Sequence, residues 1–157
     1  MIKFYKLIAT GLGVGYIGKG AGSVAAGLYC IVYYLFTSQF HQGFGAIIFT
    51  IVLIILGIWC SNKLEFTWGK DNGKIVIDEI VGMQISLLFI PTTILNISIA
   101  FVFFRFFDIL KPFYIKKMEK LPKGWGVIFD DILAGIYSNA LLQLLIIAID
   151  IKNGSLF

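Results

Sequence analysis

Long apolar runs between short polar segments are the feature that most limits how this chain can fold. Residues 44–60 form one such run, with no charged side chain among them. A helix needs ~20 mostly apolar residues to cross the hydrocarbon core of a bilayer, with ~17–25 tolerated. Hydrophobic residues make up 59% of the chain and charged residues 14%. Soluble domains average ~45–50% and ~25%, so we expect lipid to cover much of this protein.

Five apolar segments are predicted to be helices of a single membrane-embedded domain covering residues 1–157. They are residues 23–37, 44–60, 75–90, 94–110 and 127–151. A stretch with six Gly in thirteen residues, 11–23, precedes the first of them. The predicted fold class is therefore all-α: a polytopic integral membrane helix bundle of about five helices, with a Gly-rich N-terminal loop.

The basic residues predict which side of the membrane each loop occupies. Twelve of the thirteen basic residues are Lys, and most of them lie between the apolar runs. Because Lys-bearing loops stay in the cytoplasm, the N-terminus and the segments 61–74 and 111–123 are predicted to be cytoplasmic. A nucleic-acid-binding protein would instead carry a basic face with several Arg in polar surroundings, so no nucleic-acid partner is expected. The sequence leaves the oligomeric state open.

Two adjacent acidic pairs, Asp78-Glu79 and Asp130-Asp131, lie within apolar segments on the predicted cytoplasmic side. An ionised group at the centre of a membrane helix costs ~2.5–3.5 kcal/mol, and such residues usually mark function. Carboxylates held close together stay ionised only when a cation joins them, and Arg105 is the only Arg. Protonation is one solution and a divalent metal is the other.

Ligands that are all oxygen favour Mg²⁺, Mn²⁺ or Ca²⁺ over zinc. Proteins typically hold Mg²⁺ with few carboxylates, together with phosphate oxygens of the substrate and water. A metal-dependent enzyme acting on a phosphate therefore fits this pattern. Neither Cys begins a Cys-x5-Arg loop, and the one His, His41, lies in a predicted outer loop. Hydrolysis with water as nucleophile remains, and an aspartyl-phosphate intermediate stays open.

Each of these signals has a plainer structural explanation. Asp130 and Asp131 can stabilise the positive end of a helix dipole if they lie in its first turn. Arg105, Asp108 and Lys111 recur every three residues, so they share a helix face. They can bind a phosphate and a metal there, or form a salt-bridge ladder. The Gly-rich stretch can present N–H groups to an anion before the Ser23 helix, or it can be a close-packed re-entrant loop.

A second function from a different class is a small cation-coupled membrane carrier. The segment 77–82 resembles the segment 129–135, because each has an acidic pair, aliphatic residues and then Gly. Transporters often contain internal repeats, with their ion sites near the bilayer midplane. The predicted position of the acidic residues near one membrane face favours the enzyme instead.

Three motifs resemble the signatures of the bacterial phosphatidylglycerophosphatase A family. They read Asp-Glu-Ile-Val-Gly-Met at 78–83, Phe-Arg-Phe-Phe-Asp-Ile-Leu-Lys-Pro at 104–112 and Gly-Val-Ile-Phe-Asp-Asp-Ile-Leu-Ala-Gly at 126–135. Their order and spacing also agree with the family. One stretch departs from it: the family usually carries Pro before Gly-Thr-x-Gly-Ser, whereas residues 18–23 read Gly-Lys-Gly-Ala-Gly-Ser.

The resemblance implies a multi-pass phosphatase of the bacterial inner membrane with a cytoplasmic active site. It implies Mg²⁺-dependent removal of the terminal phosphate of phosphatidylglycerophosphate, which gives phosphatidylglycerol. The motif residues implied to be catalytic are Asp78, Glu79, Arg105, Asp108, Asp130 and Asp131. Those expected to bind metal are Asp78, Glu79, Asp108, Asp130 and Asp131, and those expected to bind the substrate phosphate are Arg105, Lys111 and Ser23.

Overall fold

The computed structural model describes residues 2–40, 43–69 and 72–153, and within these ranges all regular structure is helical. The helices are α1 (Ile2–Ala9), α2 (Ala21–Phe40), α3 (Phe44–Trp68), α4 (Ile77–Ser86), α5 (Ile94–Leu110), α6 (Ile115–Met118) and α7 (Gly124–Lys152). A 3-10 turn at Val14–Ile17 lies between α1 and α2. The predicted all-α class is confirmed for these residues. The predictions about His41 and about positions 70–71 concern residues outside them.

The number of helices differs from the prediction. The described residues form seven helices, and the five predicted segments correspond to α2, α3, α4, α5 and α7. The other two, α1 and α6, have only eight and four residues. Neither helix reaches membrane-spanning length, so long apolar runs do not reveal them. The treatment of residues 1–157 as one domain stays a prediction.

Helix α3 continues beyond the apolar run that predicts it. It ends at Trp68 instead of residue 60, and Gly69 stops it with a φ of 81° while donating its N–H to the carbonyl oxygen of Glu65. Most of the segment predicted as a polar loop at 61–74 is therefore helical. An apolar run indicates where a helix can lie in lipid, whereas backbone hydrogen bonds and a Gly cap decide where it ends.

Helix α7 begins at Gly124 rather than at residue 127, because α3 provides a partner for its first turn. The N–H of Gly124 donates to Oδ1 of Asn62 at 2.7 Å. A Cβ on Gly124 would lie 2.8 Å from Cβ of Ser61 and 2.9 Å from the carbonyl oxygen of Ile58. Only Gly allows α7 to start this close to α3. This earlier start moves the second acidic pair away from the helix end.

Helix α4 is short and enclosed. It ends at Ser86 rather than at residue 90, and eight of its ten residues are buried. Helices α2, α3, α5 and α7 all pack against it. Ten residues rise ~15 Å, about half of the ~30 Å hydrocarbon core of a bilayer. The first acidic pair is thus carried by a central half-length helix.

A buried chain of hydrogen bonds connects α4 to two of its neighbours. The hydroxyl of Tyr29 on α2 donates to Oε1 of Gln84. Nε2 of Gln84 then donates to Oγ1 of Thr50 on α3 at 3.0 Å. All three side chains are at least nine-tenths buried, so these bonds satisfy polar groups that water does not reach. They fix the rotation of α4 about its own axis.

Helices α3 and α7 have the length and the apolar composition that a membrane span requires. Their outward faces carry large exposed apolar side chains, including Phe44, Ile55, Leu144 and Ile149. Soluble monomers rarely expose apolar surface on this scale, so the fold is suited to association with a membrane. The arrangement of five spanning segments stays a prediction.

Candidate active site

Three carboxylates converge where α4 meets α7. Asp78 and Glu79 lie in the first turn of α4, and Asp131 lies in the second turn of α7. One carboxylate oxygen from each residue lies within 4.8 Å of those of the other two. Asp78 is only 9% exposed and Asp131 only 3% exposed. We call Asp78, Glu79 and Asp131 the acidic cluster.

A contact between two glycines positions the acidic cluster. Gly82 follows Asp78 by one helical turn, and Gly135 follows Asp131 by one turn. A Cβ on Gly135 would lie 2.5 Å from the carbonyl oxygen of Gly82, and a Cβ on Gly82 would lie 2.8 Å from the carbonyl oxygen of Asp131. The backbones of α4 and α7 therefore touch, as small residues permit in membrane helices. Because Asp78 and Asp131 each lie one turn before these glycines, the close approach of the helices also brings the two carboxylates together.

The start of α2 forms another side of the acidic cluster. A Cβ on Gly22 would lie 1.8 Å from Oε1 of Glu79, so the Glu79 carboxylate rests directly on the α2 backbone. Ser23 follows in the same first turn and is partly buried. The first N–H groups of a helix lack intrahelical acceptors. The predicted phosphate-binding residue Ser23 thus lies next to a residue that contacts the cluster.

Arg105 and Asp108 form an ion pair on α5 beside the acidic cluster. Nη1 of Arg105 lies 2.5 Å from Oδ2 of Asp108, across the i,i+3 spacing that the sequence shows. The Asp108 carboxyl is also close enough to Asp131 for the two side chains to interact. Nε of Arg105 is buried and has no hydrogen-bond partner within the described ranges. The guanidinium therefore neutralises one carboxylate and keeps an unused donor.

Lys111 bridges two carboxylates rather than extending the α5 ladder. Its Nζ lies 2.5 Å from Oε1 of Glu119 and 2.7 Å from Oδ2 of Asp130. Burial by itself would lower the pKa of Lys111, but its hydrogen bonds to Asp130 and Glu119 outweigh burial and raise that pKa above its usual value. The ammonium stays charged, and a phosphate oxygen would have to share it with both carboxylates.

Glu119 is part of this site, although it belongs to none of the three sequence motifs. It lies just after α6, eight residues beyond Lys111, in a segment without helical periodicity. Lys111 ends α5 in the left-handed region, with a φ of 45°, and the chain turns there toward Glu119. Single-sequence patterns seldom indicate a non-Gly residue with positive φ. The only available signal was an acidic residue within a Lys-rich loop.

Negative charge exceeds positive charge at this site. The carboxylates described above are six, and the cations paired with them are Arg105 and Lys111. Oε2 of Glu79 and Oδ1 of Asp130 are buried and have no hydrogen-bond partner among the residues that the structure describes. Buried anionic oxygens are expected to be paired or to coordinate metal. The acidic cluster consists of hard oxygen donors, so it fits a divalent cation such as Mg²⁺.

The structural explanations based on the helix dipole and on a salt-bridge ladder account for only some of these charged residues. Asp130 and Asp131 are not in the first turn of α7, so stabilisation of the helix dipole does not account for them. Asp78 and Glu79 are in the first turn of α4, where that stabilisation is available. Of the predicted salt-bridge ladder, the described residues form the pair Arg105–Asp108, whereas Lys111 pairs with Glu119 and Asp130 instead.

Known proteins share most of this sequence. A family model described as phosphatidylglycerophosphatase A matches residues 7–146. A Bacteroides thetaiotaomicron protein with the provisional name phosphatidylinositol-3-phosphatase is 39% identical over 144 residues, 87% of this chain and 89% of that protein. Phosphatidylglycerophosphatase A of Haemophilus influenzae is 46% identical over 95 residues, 59% of this chain and 58% of that protein. Phosphatidylglycerophosphatase A of Escherichia coli is 30% identical over 141 residues, 88% of this chain and 81% of that protein.

No solved structure matches the chain. The carboxylate-rich site and these relatives define the class: a phosphatase that hydrolyses phosphoric monoesters in phospholipid metabolism. The chain belongs to the phosphatidylglycerophosphatase A family, whose model covers every predicted site residue from Ser23 to Asp131. The resemblance found in the sequence is confirmed, and the alternative of a cation-coupled carrier is not favoured.

Proposed function

We propose that this protein removes the terminal phosphate of phosphatidylglycerophosphate, with a Mg²⁺ ion held by Asp78, Glu79 and Asp131. The observation that carries the proposal is the convergence of these three carboxylates within 4.8 Å. Two relatives named phosphatidylglycerophosphatase A support the choice of substrate. When bound, Mg²⁺ would supply charge stabilisation for the reacting phosphoryl group.

The residues beside the acidic cluster have separate proposed roles. Arg105 has a free Nε donor, so its guanidinium can orient a phosphate oxygen while it remains paired with Asp108. Asp108 lies between Arg105 and Asp131, so its carboxylate can accept the proton that the attacking water loses. Ser23, at the start of α2, can donate a hydrogen bond to a phosphate oxygen.

Lys111 and Asp130 are proposed to act together at the edge of the site. The ammonium of Lys111 offers its third N–H to phosphate while two carboxylates hold it in place. Asp130 is 6% exposed and has one unpaired buried oxygen. We therefore include it among the proposed metal-binding and catalytic residues, together with Asp108. In the hydrolysis, the water oxygen forms a new bond to phosphorus, the bond between phosphorus and the lipid alcohol oxygen breaks, and the proton accepted by Asp108 passes to the leaving alcohol.

The proposed location is the bacterial inner membrane, with several spans and the site at the cytoplasmic face. The Lys-rich segment around α6 supports this orientation, because it adjoins Asp130 through Lys111. The test is a Lys116→Cys variant with Cys30 and Cys60 replaced by Ser. A membrane-impermeant maleimide should label it only after the cells are permeabilised. Labelling of intact spheroplasts would place this segment on the outer side and contradict the proposed topology.

The reaction is tested with purified protein and phosphatidylglycerophosphate in detergent micelles. We expect phosphate release with Mg²⁺, loss of activity with EDTA, and a loss of at least ~100-fold in Asp78→Asn and Asp131→Asn. Glu65→Gln is the matched control, since Glu65 lies near the end of α3 outside the site. Metal-independent release, or full activity in either Asn variant, would contradict the metal-dependent mechanism.

Phosphatidylinositol 3-phosphate is the competing substrate that deserves direct comparison. The Bacteroides thetaiotaomicron relative carries that activity in its provisional name and matches 87% of this chain. The two lipids present the same monoester phosphate but differ in the alcohol that leaves. A higher kcat/KM for the inositol lipid would replace the proposed substrate and leave the roles of the carboxylates unchanged.

A further inference from the structure

An apolar groove of about 340 Å³ lies along α2, and its lining includes Ile80, which directly follows Glu79 in the chain. It is bounded by α2, by α4 and by the segment between α1 and α2. Its lining includes Leu12, Val14, Leu28, Tyr29, Val32 and Ile80. We call this the α2 groove.

Two walls of the α2 groove, α2 and α4, adjoin residues of the site. Ile80 on α4 directly follows Glu79 of the acidic cluster. On α2, Gly22 contacts the Glu79 carboxylate, and the lining residues Ala25, Leu28 and Val32 recur along the same helix face. At 1.5 Å per residue, Val32 lies ~15 Å from Gly22 along the helix axis. The groove therefore starts next to the carboxylates and leads away from them.

Exposure within the groove allows entry from the side. Leu28 is 45% exposed and Val32 is 50% exposed, whereas Tyr29 at the floor is 9% exposed and bonded to Gln84. The floor is thus fixed by the buried hydrogen-bond chain while the outer edge is open. A flexible apolar chain can slide into such a groove from the bilayer without crossing polar groups.

We propose that the α2 groove holds one acyl chain of the lipid substrate while the phosphate of that lipid lies at the acidic cluster. This inference rests on the proposed function, since it assigns a place to the apolar part of the same substrate. The occupant follows from the position of the groove beside Glu79: a molecule with a phosphate at Glu79 and a hydrocarbon chain along Val32 is a phospholipid. Chain binding remote from the phosphate would help to position the reacting group.

A second groove provides the matched control. It has a volume of about 260 Å³ and is lined by residues of α2 and α5, including Ile31, Leu35, Ile94 and Ile97. It is similarly apolar, but its lining includes no residue of α4 and no neighbour of the acidic cluster in the chain. A Trp at Leu28 fills the α2 groove, and a Trp at Ile31 fills the control groove.

The first experiment compares Leu28→Trp with Ile31→Trp on two phosphatidylglycerophosphates, one with two sixteen-carbon chains and one with two six-carbon chains. We expect Leu28→Trp to lower kcat/KM about tenfold for the long-chain lipid and less than about twofold for the short-chain lipid. Ile31→Trp should change neither. Equal losses of kcat/KM in both variants would overturn the proposal that the α2 groove holds an acyl chain. A loss in Leu28→Trp that does not depend on chain length would also overturn it.

The second experiment uses the unaltered sequence, so its result does not depend on how a variant folds. A phosphatidylglycerophosphate with a diazirine in one acyl chain is photolysed in micelles with EDTA present, and the labelled peptides are mapped. We expect labels at Leu12, Val14, Leu28 and Val32, and none at Ile31 or Leu35 of the control groove. Labels spread evenly over both grooves would overturn the proposal. Labels in the α2 groove of a protein that hydrolyses no lipid phosphate would contradict the proposed function and support the groove.

Discussion

Gly82 of α4 and Gly135 of α7 touch backbone to backbone, one helical turn from the carboxylates that these helices contribute. The carbonyl oxygen of Gly82 lies 2.5 Å from the position that a Cβ on Gly135 would occupy. A carbonyl in a buried helix cannot rotate away as a side chain can. The Gly135→Ala variant must therefore push the two helices apart.

We expect Gly135→Ala to lower the free energy of unfolding by ~1–3 kcal/mol, the usual cost of overpacking a core. Separating the carboxylates should also reduce activity, since a ~1 Å misplacement can cost ~100-fold. Gly27→Ala is the control, because its added Cβ would meet only Cε2 of Phe101 at 3.9 Å. Denaturant unfolding and phosphate release measure the two effects. Equal behaviour of the two variants would show that the helices do not need this contact.

Gly22→Ala is expected to separate activity from stability. Its Cβ would lie 1.8 Å from Oε1 of Glu79, which is the far end of a flexible side chain. The carboxylate can swing aside at little cost, so unfolding should change by less than ~1 kcal/mol. Displacing Glu79 from the cluster should still reduce phosphate release at least tenfold and weaken activation by Mn²⁺. Unchanged activity would mean that Glu79 is not needed in its present position.

Asp131→Asn tests whether the acidic cluster binds metal without relying on activity. In EDTA, the variant should be more stable than the unaltered protein, because it removes one of three crowded carboxylates. A gain of ~1 kcal/mol corresponds to a rise in Tm of ~2–4 °C in a chain of this size. Adding Mg²⁺ should stabilise the unaltered protein by mass action and leave the variant unaffected. A Mg²⁺-induced shift of similar size in both proteins would remove Asp131 from the metal site.

Lys111→Met should destabilise the protein by leaving Asp130 without its cation. Removing one partner of a buried charged hydrogen bond costs ~1–3 kcal/mol or more, and the Asp130 side chain is 8% exposed. The double variant Lys111→Met/Asp130→Asn should recover most of that stability. Lys116→Met, which changes an exposed Lys on α6, is the control. If the double variant is no more stable than Lys111→Met, the ion pair with Asp130 is not the cause of the loss.

The sequence predicted the residues of the site better than their pairing. Acidic groups in apolar segments are conspicuous because burial of charge is costly, and Asp78, Glu79 and Asp131 were selected on that basis. Spacing on one helix shows what shares a face, but it does not show which face of another helix lies opposite. The spacing of residues along the chain therefore could not predict the contact of Gly22 with Glu79.

Helix ends were predicted less well than helix centres. Apolar runs locate α3 and α7 correctly, yet both helices extend into segments that the runs leave out. The cause for α7 is a hydrogen bond from Gly124 to Asn62 on α3, a contact between positions 62 residues apart. Similarly, Lys111 pairs with Glu119 and Asp130 because α5 ends in a left-handed turn. Such long-range partners follow from the assembled fold.

The glycine contact also affects how the site responds to its surroundings. Helix α7 has 29 residues, ~43 Å at 1.5 Å each, which is longer than the ~30 Å hydrocarbon core, so in the proposed spanning arrangement it can change its tilt with bilayer thickness. Because α4 is held against α7 at Gly82 and Gly135, a change of tilt carries both helices together. The spacing of Asp78, Glu79 and Asp131 would then stay constant while the tilt varies with membrane thickness. The rate of hydrolysis would then depend little on membrane thickness, and so on the lipid composition that sets this thickness.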